Sequence, residues 1–244
     1  MKFEYRKRIY AHYVAGRAVV LAPSTLAGLS PRAPSLRKLV REHFPAARGT
    51  AILELGCGHG ALIHFARQAG YTNIAGVDGS LEQVAAARRL GIEGVTEGDI
   101  LDALKARADA SLDVVVAFDV IEHFTRDELL GIVDDVHRIL RPGGRWIIHT
   151  ANGESVFSGR MRYGDLTHEL AFTRTSIAQL LISSGFSSLQ CYEDTPVVHG
   201  LASGARWFLW KLIRAGLRLY IAVETGDASN AHIFTQVFLT VAIK

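Results

Sequence analysis

The chain reads Ile52-Leu53-Glu54-Leu55-Gly56-Cys57-Gly58-His59-Gly60 where a short apolar run leads directly into three alternating glycines. The pattern of a helix follows over residues 61–69. Glycine suits such a loop because the turn is tight and because a ligand can approach backbone that carries no Cβ. The segment predicts a strand, a ligand-binding loop and a helix. Gly56, Gly58 and Ala61 also satisfy the spacing of a dinucleotide-binding loop.

Short apolar runs alternate with helical patterns after Thr50. The runs, which are typical of buried parallel strands, are residues 51–55, 73–77, 94–98, 112–118 and 145–150. The helical patterns between them cover residues 61–69, 81–90 and 126–140. This order predicts an α/β fold with a Rossmann-like, doubly wound, mostly parallel sheet.

The flanking sequence completes a single predicted domain over residues 1–244. Residues 1–48 are interpreted as an N-terminal helical lid, 49–152 as the ligand-binding core and 153–244 as a substrate-side and C-terminal elaboration. Residues 141–144, Arg-Pro-Gly-Gly, are expected to stop a helix and turn the chain into the fifth strand. Further elements are predicted at residues 36–44, 173–184, 189–193, 201–223 and 232–243.

Composition excludes several function classes. The 27 basic and 24 acidic residues give a net charge of +3, which is too slight for a nucleic-acid groove. Cys57 and Cys191 are the two cysteines, and the first lies in the glycine loop, so we expect no disulfide and a reducing compartment. The N-terminus shows no clean cleavage site for a leader, which indicates a cytoplasmic protein.

Acidic residues follow the next strands. Asp78 ends the run Ile74-Ala75-Gly76-Val77-Asp78, at the distance where a carboxylate can accept both hydroxyls of a bound ribose. Its alternative role is to cap the helix that begins at Leu81, although Ser80 could fill that place. Asp99 follows the third run, and Phe118-Asp119-Val120-Ile121-Glu122-His123 closes the fourth.

These motifs, in this order over about residues 50–150, resemble the class I S-adenosylmethionine-dependent methyltransferases. The resemblance implies a seven-stranded sheet whose last strand is antiparallel, with S-adenosylmethionine as cofactor and S-adenosylhomocysteine as product. Glycine-loop residues would bind the methionine part, Asp78 the ribose, Asp99 and Ile100 the adenine, and Phe118 and Asp119 would flank the sulfonium. The implied cofactor residues are Glu54, Gly56, Cys57, Gly58, Gly60, Asp78, Gly79, Ser80, Asp99, Ile100, Phe118 and Asp119.

Histidines at the same sheet edge are candidates for proton transfer. Methyl transfer chiefly needs alignment and exclusion of water, but a base helps when an alcohol is the nucleophile. His123 follows the fourth strand and is the first choice, with capping of the next helix as its alternative, and His168 is the second. The residues expected to contact the acceptor are Tyr10, Tyr13, Asn152, Tyr163, Asp165 and His168.

Other interpretations of these residues stay open. Ordinary turns explain Asn152-Gly153 and Gly164-Asp165 nearly as well, and the N-terminal tyrosines fit an amphipathic helix packed on the domain. No metal is predicted, because Asp165 and His168 lack a second matched pair of ligands.

Residues 206–224 are apolar around most of a helix, with Lys211, Arg214 and Arg218 on one basic stripe. These cations exclude a membrane-spanning helix. The helix could lie on the inner face of an anionic membrane, or it could be buried against the domain or a homodimer mate. The aromatic residues that would enter a membrane interface are Trp207, Phe208 and Trp210.

Sequence after Thr150 is more loosely similar to bacterial methyltransferases of polysaccharide, lipopolysaccharide and O-antigen gene clusters. That similarity implies O-methylation of a sugar hydroxyl or of another small polar acceptor, including lipid-linked or nucleotide-linked glycans. N-methylation of an amino sugar or small molecule, a nicotinamide-dependent oxidoreductase and a non-catalytic cofactor-binding scaffold are the alternatives.

Overall fold

The computed structural model describes residues 8–9 and 22–244. The seven strands are β1 (Ile52–Leu55), β2 (Ile74–Asp78), β3 (Val95–Glu97), β4 (Leu112–Phe118), β5 (Leu140–Ala151), β6 (Ser188–Glu193) and β7 (Val237–Ile243). The α-helices are α1 (Ala33–His43), α2 (Ala61–Gln68), α3 (Leu81–Arg89), α4 (Ile100–Lys105), α5 (Arg126–Ile139), α6 (Ser158–Tyr163), α7 (Arg174–Ser183) and α8 (Leu201–Thr225). Short 3-10 helices cover Leu26–Arg32 and Ile121–His123.

One sheet, in the order β3-β2-β1-β4-β5-β7-β6, organises the chain. Strands β1 to β5 pair in parallel, whereas β7 lies between β5 and β6 and is antiparallel to both. The predicted Rossmann-like fold with an antiparallel last strand is therefore confirmed. Because β6 runs in the same direction as β5, its carboxyl end lies at the same edge as those of β1, β2 and β4.

Helices cover both faces of the sheet. Val114 and Val116 of β4 pack on the face covered by α1, α2 and α3, while Val115 and Ala117 pack on the face covered by α4, α5 and α7. The alternation follows from the two-residue period of a strand, and burial on both faces explains the continuous apolar run of β4. Trp146 of β5 is fully buried. The packing leaves the carboxyl edge of the sheet for ligands.

Several predicted boundaries need correction. Residues 141–144 belong to β5, because α5 ends at Ile139 and the pairing of β4 with β5 passes from Leu112↔Leu140 to Val114↔Arg145 across a bulge. Pro142 lacks an N–H for the ladder and Gly143 has a positive φ of 75°, which accounts for the bulge. The final strand begins at Val237 rather than at residue 232.

Helix α8 differs most from expectation. Ser203 is its one fully buried residue, and the side that carries Trp210, Arg214 and Arg218 is half-buried, so the alternative of burial against the domain applies to one side of the helix. Arg214 of the predicted basic stripe faces the domain, where its Nε lies 2.6 Å from Glu193 Oε2. Within the described residues, no helix combines the length and apolarity needed to cross a bilayer.

Candidate active site

The glycine loop joins β1 to α2 at the carboxyl edge of the sheet. Gly56, Gly58 and Gly60 all have positive φ, which side-chain-bearing residues rarely adopt. A Cβ on Gly56 would lie 2.5 Å from Val120 Cγ2, so this glycine is required by packing. Among the residues that the structure describes, a Cβ on Gly58 would meet Gln83 alone, with Oε1 as the nearest atom at 3.8 Å. The loop therefore presents open backbone at Gly58, where a ligand could approach.

Asp78 ends β2 beside this loop. Its Oδ2 accepts a 2.7 Å hydrogen bond from Gly58 N and its Oδ1 accepts one of 2.8 Å from Ser80 N. The N-cap of α3 is Ser80, whose Oγ accepts from Gln83 N, so the capping alternative for Asp78 does not apply. Burial raises the pKa of Asp78, against the effect of the two backbone donors. The carboxyl is thus held against the glycine loop, as a ribose-binding residue would be.

Glu54 provides a test of whether S-adenosylmethionine fits. Its side chain is buried, and Oε2 has no hydrogen-bond partner among the described residues. Burial raises the pKa of Glu54 to about 8. A buried carboxyl with one oxygen left without a donor among the described residues, beside the glycine loop, suits the ammonium group of the cofactor's methionine part. The residues present therefore fit the group.

Cys57 points away from this cleft. Its side chain is buried on the inner side of the loop, where a Cβ on Gly76 would lie 2.7 Å from Cys57 Sγ. Burial raises the pKa of the thiol, which removes its nucleophilic character. Both Cys57 and Cys191 are free thiols, in agreement with the expectation of no disulfide. Cys57 can offer a ligand its backbone alone.

Asp99 lies two residues beyond the end of β3 and acts as the N-cap of α4, rather than closing the strand. Its Oδ1 accepts hydrogen bonds from Leu101 N at 2.7 Å and Asp102 N at 3.4 Å. The predicted adenine contact thus competes with a helix-capping role that the sequence interpretation did not include. Ile100 packs against the core, and Gly79 faces open space, with Gly98 O at 3.9 Å from its Cβ position.

The ends of β4 and β5 bring Phe118, Asp119 and His149 together. The Phe118 and His149 rings stack with centroids 4.7 Å apart, and His149 Nδ1 lies 2.7 Å from Asp119 Oδ1. His149 Nε2 lies 3.6 Å from Asp194 Oδ2. Asp119 adopts a φ of +53°, an uncommon conformation outside glycine. The cluster occupies the place where the sulfonium side of the cofactor is expected.

His149 carries a proton at neutral pH. Burial alone would lower its pKa, but the negative charge and hydrogen bond of Asp119, supported by Asp194, raise it to about 10. In return, the imidazolium holds the pKa of Asp119 below its usual range. A protonated imidazole donates hydrogen bonds and cannot act as a base. Sequence reasoning missed His149, although its place one residue from the end of the predicted fifth strand was a usable signal.

Glu122, also missed, connects the 3-10 turn after β4 to the loop after β5. Its Oε2 accepts from Thr150 Oγ1 at 2.9 Å, and its carbonyl oxygen accepts from Glu169 N and Leu170 N. Burial, with a further contribution from the Asp119 charge, raises the pKa of Glu122 to about 8. Glu122 therefore anchors the loop that carries Asp165 and His168 over the sheet edge.

His123 lies at the end of this turn in a chain of hydrogen bonds. Its Nδ1 is 2.9 Å from Thr167 Oγ1, and the Thr167 hydroxyl donates to Asp165 Oδ1 at 2.6 Å. Since that hydroxyl has one hydrogen, Thr167 can only accept from His123, which assigns the proton to Nδ1 and the lone pair to Nε2. Burial, assisted by nearby His168, lowers the pKa of His123 to about 4.

His168 packs against His123 with ring centroids 4.6 Å apart, and its Nδ1 bonds to Met161 O at 2.8 Å. The structure thus brings His123, Asp165 and His168 together, as the sequence suggested. Thr167 is fully buried and links these residues. It was not selected from the sequence, because a single threonine in a loop belongs to no recognisable motif. Asp119 and His123 are also close enough to affect each other's pKa.

The remaining predicted acceptor residues are placed differently. Asn152 is buried, and its amide nitrogen donates to Ile233 O and Thr235 O while its Oδ1 accepts from Glu154 N. The Asn152 side chain therefore joins backbone segments of the fold, and its placement does not support a contact with the acceptor. Tyr163 is 78% exposed on α6. Tyr10 and Tyr13 lie outside the described residues.

Residues 53–148 match the protein family described as "Methyltransferase domain". A probable S-adenosylmethionine-dependent methyltransferase of Mycolicibacterium smegmatis is 32% identical over 158 residues, which cover 62% of this chain and 56% of that protein. Cyclopropane mycolic acid synthase 3 of Mycobacterium tuberculosis is 26% identical over 63% of this chain and 53% of its own length. A ubiquinone biosynthesis O-methyltransferase of Xylella fastidiosa is 30% identical over 43% of each chain. The chain spans about half the length of these relatives.

The fold agrees with solved structures. A SAM-dependent methyltransferase from Archaeoglobus fulgidus superposes with a TM-score of 0.65 at 18% identity, over 90% of this chain and all of that one. A likeness at 18% identity supports the fold alone. The family match is a similarity of sequence and concerns residues 53–148. Residues 53–148, which contain the glycine loop, most of β1 and all of β2 to β4, therefore resemble a methyltransferase domain in sequence, and the whole described fold resembles that of a SAM-dependent methyltransferase.

Proposed function

We propose that this protein is an enzyme that methylates a hydroxyl group of a sugar, or of a similar small polar acceptor, with S-adenosylmethionine as methyl donor. The observation that carries the proposal is the neutral imidazole of His123, held by Thr167 at the same sheet edge as the glycine loop and Asp78. The looser resemblance to methyltransferases of polysaccharide gene clusters supports the choice of acceptor.

The cofactor would be held by side chains that the fold already orients. Asp78, fixed by Gly58 and Ser80, would accept the ribose hydroxyls, and Glu54 would accept from the ammonium group. When bound, S-adenosylmethionine supplies a methyl group on a sulfonium, and S-adenosylhomocysteine is the product. Buried walls such as Val120 help to exclude water.

His123 would accept the proton that the acceptor hydroxyl loses. An alcohol stays protonated at neutral pH, so a lone pair within hydrogen-bond reach assists the transfer. With its pKa near 4, His123 is neutral at pH 7, and the bond from Nδ1 to Thr167 places the lone pair on Nε2. His149 cannot take this role because Asp119 keeps it protonated.

A cleft of about 490 Å³, lined by neither His123 nor the glycine loop, lies next to the proposed sulfonium side of the cofactor site. It opens beside Phe118 and His149, and its walls mix donors and acceptors. Besides His149, the polar residues among its lining are Ser35, Lys38, Glu42, His43, Arg174, Gln190, Tyr192, Glu193, Asp194, Arg214, Asn230 and His232. Such a mixture suits a polyhydroxylated ligand, whose groups both donate and accept.

The experiment compares glycans from a strain that lacks the gene with those from the parent strain by mass spectrometry. We expect one methyl group to be missing from a sugar hydroxyl, and linkage analysis distinguishes O-methylation from N-methylation. Complementation with the wild-type gene should restore the group, and His123→Ala should not. Unchanged glycans would contradict the sugar acceptor, and a strain fully restored by His123→Ala would contradict the base.

A further inference from the structure

Helix α8 presents an apolar face to the outside. Its 25 residues correspond to about 37 Å. Eight large apolar or aromatic side chains along it are each more than half exposed: Leu201, Phe208, Leu209, Leu212, Ile213, Leu219, Tyr220 and Val223. Single exposed apolar residues are common on protein surfaces, but a continuous row of this length marks an interaction site.

The opposite side of α8 is fixed to the domain by polar contacts. Arg214 Nε lies 2.6 Å from Glu193 Oε2, and Arg218 Nη2 donates to Ala228 O at 3.1 Å. Glu193 Oε1 also accepts from Phe234 N. These contacts set the rotation of the helix about its axis, so the apolar face is held outward.

This attachment lies beside the candidate active site. Glu193 is the last residue of β6, and the next residue, Asp194, lies 3.6 Å from the His149 ring. Because β6 ends at the carboxyl edge of the sheet, α8 is tied to the edge at which the acceptor is expected. A surface bound by α8 would therefore lie next to that edge.

Charge decides which partner fits the apolar face. Residues 201–225 carry four basic side chains and one acidic one, Glu224. Because Arg214 and Arg218 contact the domain, Arg206 and Lys211 are the two cations of this helix available to a partner. Arg206 and Lys211 are exposed, and Lys211 Nζ lies 5.1 Å from the Trp207 ring. A second copy of the helix would bring like charges together, whereas anionic lipid headgroups would neutralise them. Aromatic side chains beside cations are also typical of helices that lie in a membrane interface.

We propose that the outer face of α8 docks this protein on the surface of an anionic lipid bilayer, with the helix lying in the plane of the membrane. This differs from the predicted arrangement, because Arg214 points into the domain and the outer leucines, with Phe208, enter the lipid. The proposal concerns the docking surface alone and holds for any acceptor.

The test is sedimentation of the full chain with vesicles of phosphatidylcholine containing phosphatidylglycerol. The variant Leu212→Glu with Leu219→Glu should bind at least about tenfold more weakly than the wild type, because two apolar groups that enter lipid become charged. The matched control is Leu130→Glu with Ile182→Glu, which likewise replaces two exposed aliphatic side chains by glutamate, on α5 and α7. It should bind as the wild type does, and vesicles should shift the wild-type tryptophan emission to the blue.

Three results would overturn the proposal. The first is that the wild type does not sediment with the vesicles, and the second is that the α8 variant binds them as tightly as the wild type. In the third, light scattering in the absence of lipid shows a wild-type dimer that the α8 variant converts to a monomer, which would assign the face to a second copy of the chain.

Discussion

The Nδ1 atom of His123 lies 2.9 Å from the hydroxyl oxygen of Thr167, and this contact joins two segments that are 44 residues apart in the sequence. The Thr167 hydroxyl in turn donates a hydrogen bond to Asp165 Oδ1, so the three side chains form a directed chain that begins at the imidazole and ends at the carboxylate. The lone pair of His123 is thereby kept on Nε2. Thr167 and Asp165 are positioning residues for the proposed base.

Replacing Thr167 by Val should therefore change the tautomer of the His123 imidazole while the ring itself stays in place. We expect kcat to fall by about 10- to 100-fold with little change in KM, because the tautomer that places the lone pair on Nε2 is no longer favoured. Nitrogen chemical shifts of His123 should show loss of the Nδ1–H form. Thr167→Ser keeps the hydroxyl and should restore both readouts, and a Val variant with unchanged kcat and tautomer would refute the role.

The pH dependence of the rate follows from the environment of His123. Because burial lowers its pKa to about 4, the imidazole stays neutral, and kcat should be nearly constant between about pH 5.5 and 8. An ordinary histidine with a pKa of about 6.5 would lose roughly tenfold in rate for each pH unit well below that value. A fall of about fivefold between pH 6.5 and 5.5, which is what a pKa of about 6.5 would give, would contradict the assignment.

His149 should make stability depend on pH in the alkaline range. Its folded pKa of about 10 exceeds its unfolded value, so its contribution is complete below pH 6.5 and is lost as the pH rises toward 10. Urea unfolding should show the wild type more stable than His149→Gln at pH 7. We expect this gap to shrink by at least about 1.4 kcal/mol at pH 10, the equivalent of one pKa unit. A gap that stays constant would contradict the raised pKa.

Glu54 should release a proton when the cofactor binds. With a pKa of about 8 it is mostly protonated at pH 7, and an ammonium group placed beside it would favour the ionised form. Calorimetric titration with S-adenosylhomocysteine in buffers of different ionisation enthalpy measures the protons released. The wild type should release up to about one proton, and Glu54→Gln should release fewer. Equal release by the two proteins would assign the proton to another group.

Local sequence patterns predicted the core of the fold because each strand, and the glycine loop, is indicated by residues within one short segment. The apolar runs gave β1 to β4 to within a few residues, and the alternating glycines located the loop before α2. Asp78 followed from its spacing to that loop. Each of these inferences depended on the period of one element or on the distance between consecutive elements.

The sequence could not supply contacts that depend on strand order or on loop placement. His149 meets Asp119 because β5 pairs with β4, and it meets Asp194 because β7 is inserted between β5 and β6. The outward face of α8 is set by the bond from Arg214 to Glu193, which a helical wheel does not contain. The role of Asp99 as a cap likewise depended on where β3 ends.

The central claim is that Asp78, held by Gly58 and Ser80, binds the ribose of S-adenosylmethionine. Calorimetric titration with S-adenosylhomocysteine tests it most directly, with Asp78→Asn as the variant and Asp127→Asn, in the first turn of α5, as the matched control. The wild type and the control should bind equally, and Asp78→Asn should lose about 1.5–3 kcal/mol of binding free energy, as expected for hydrogen bonds to a charged group. Absence of binding by the wild type, or equal affinity in Asp78→Asn, would contradict the claim.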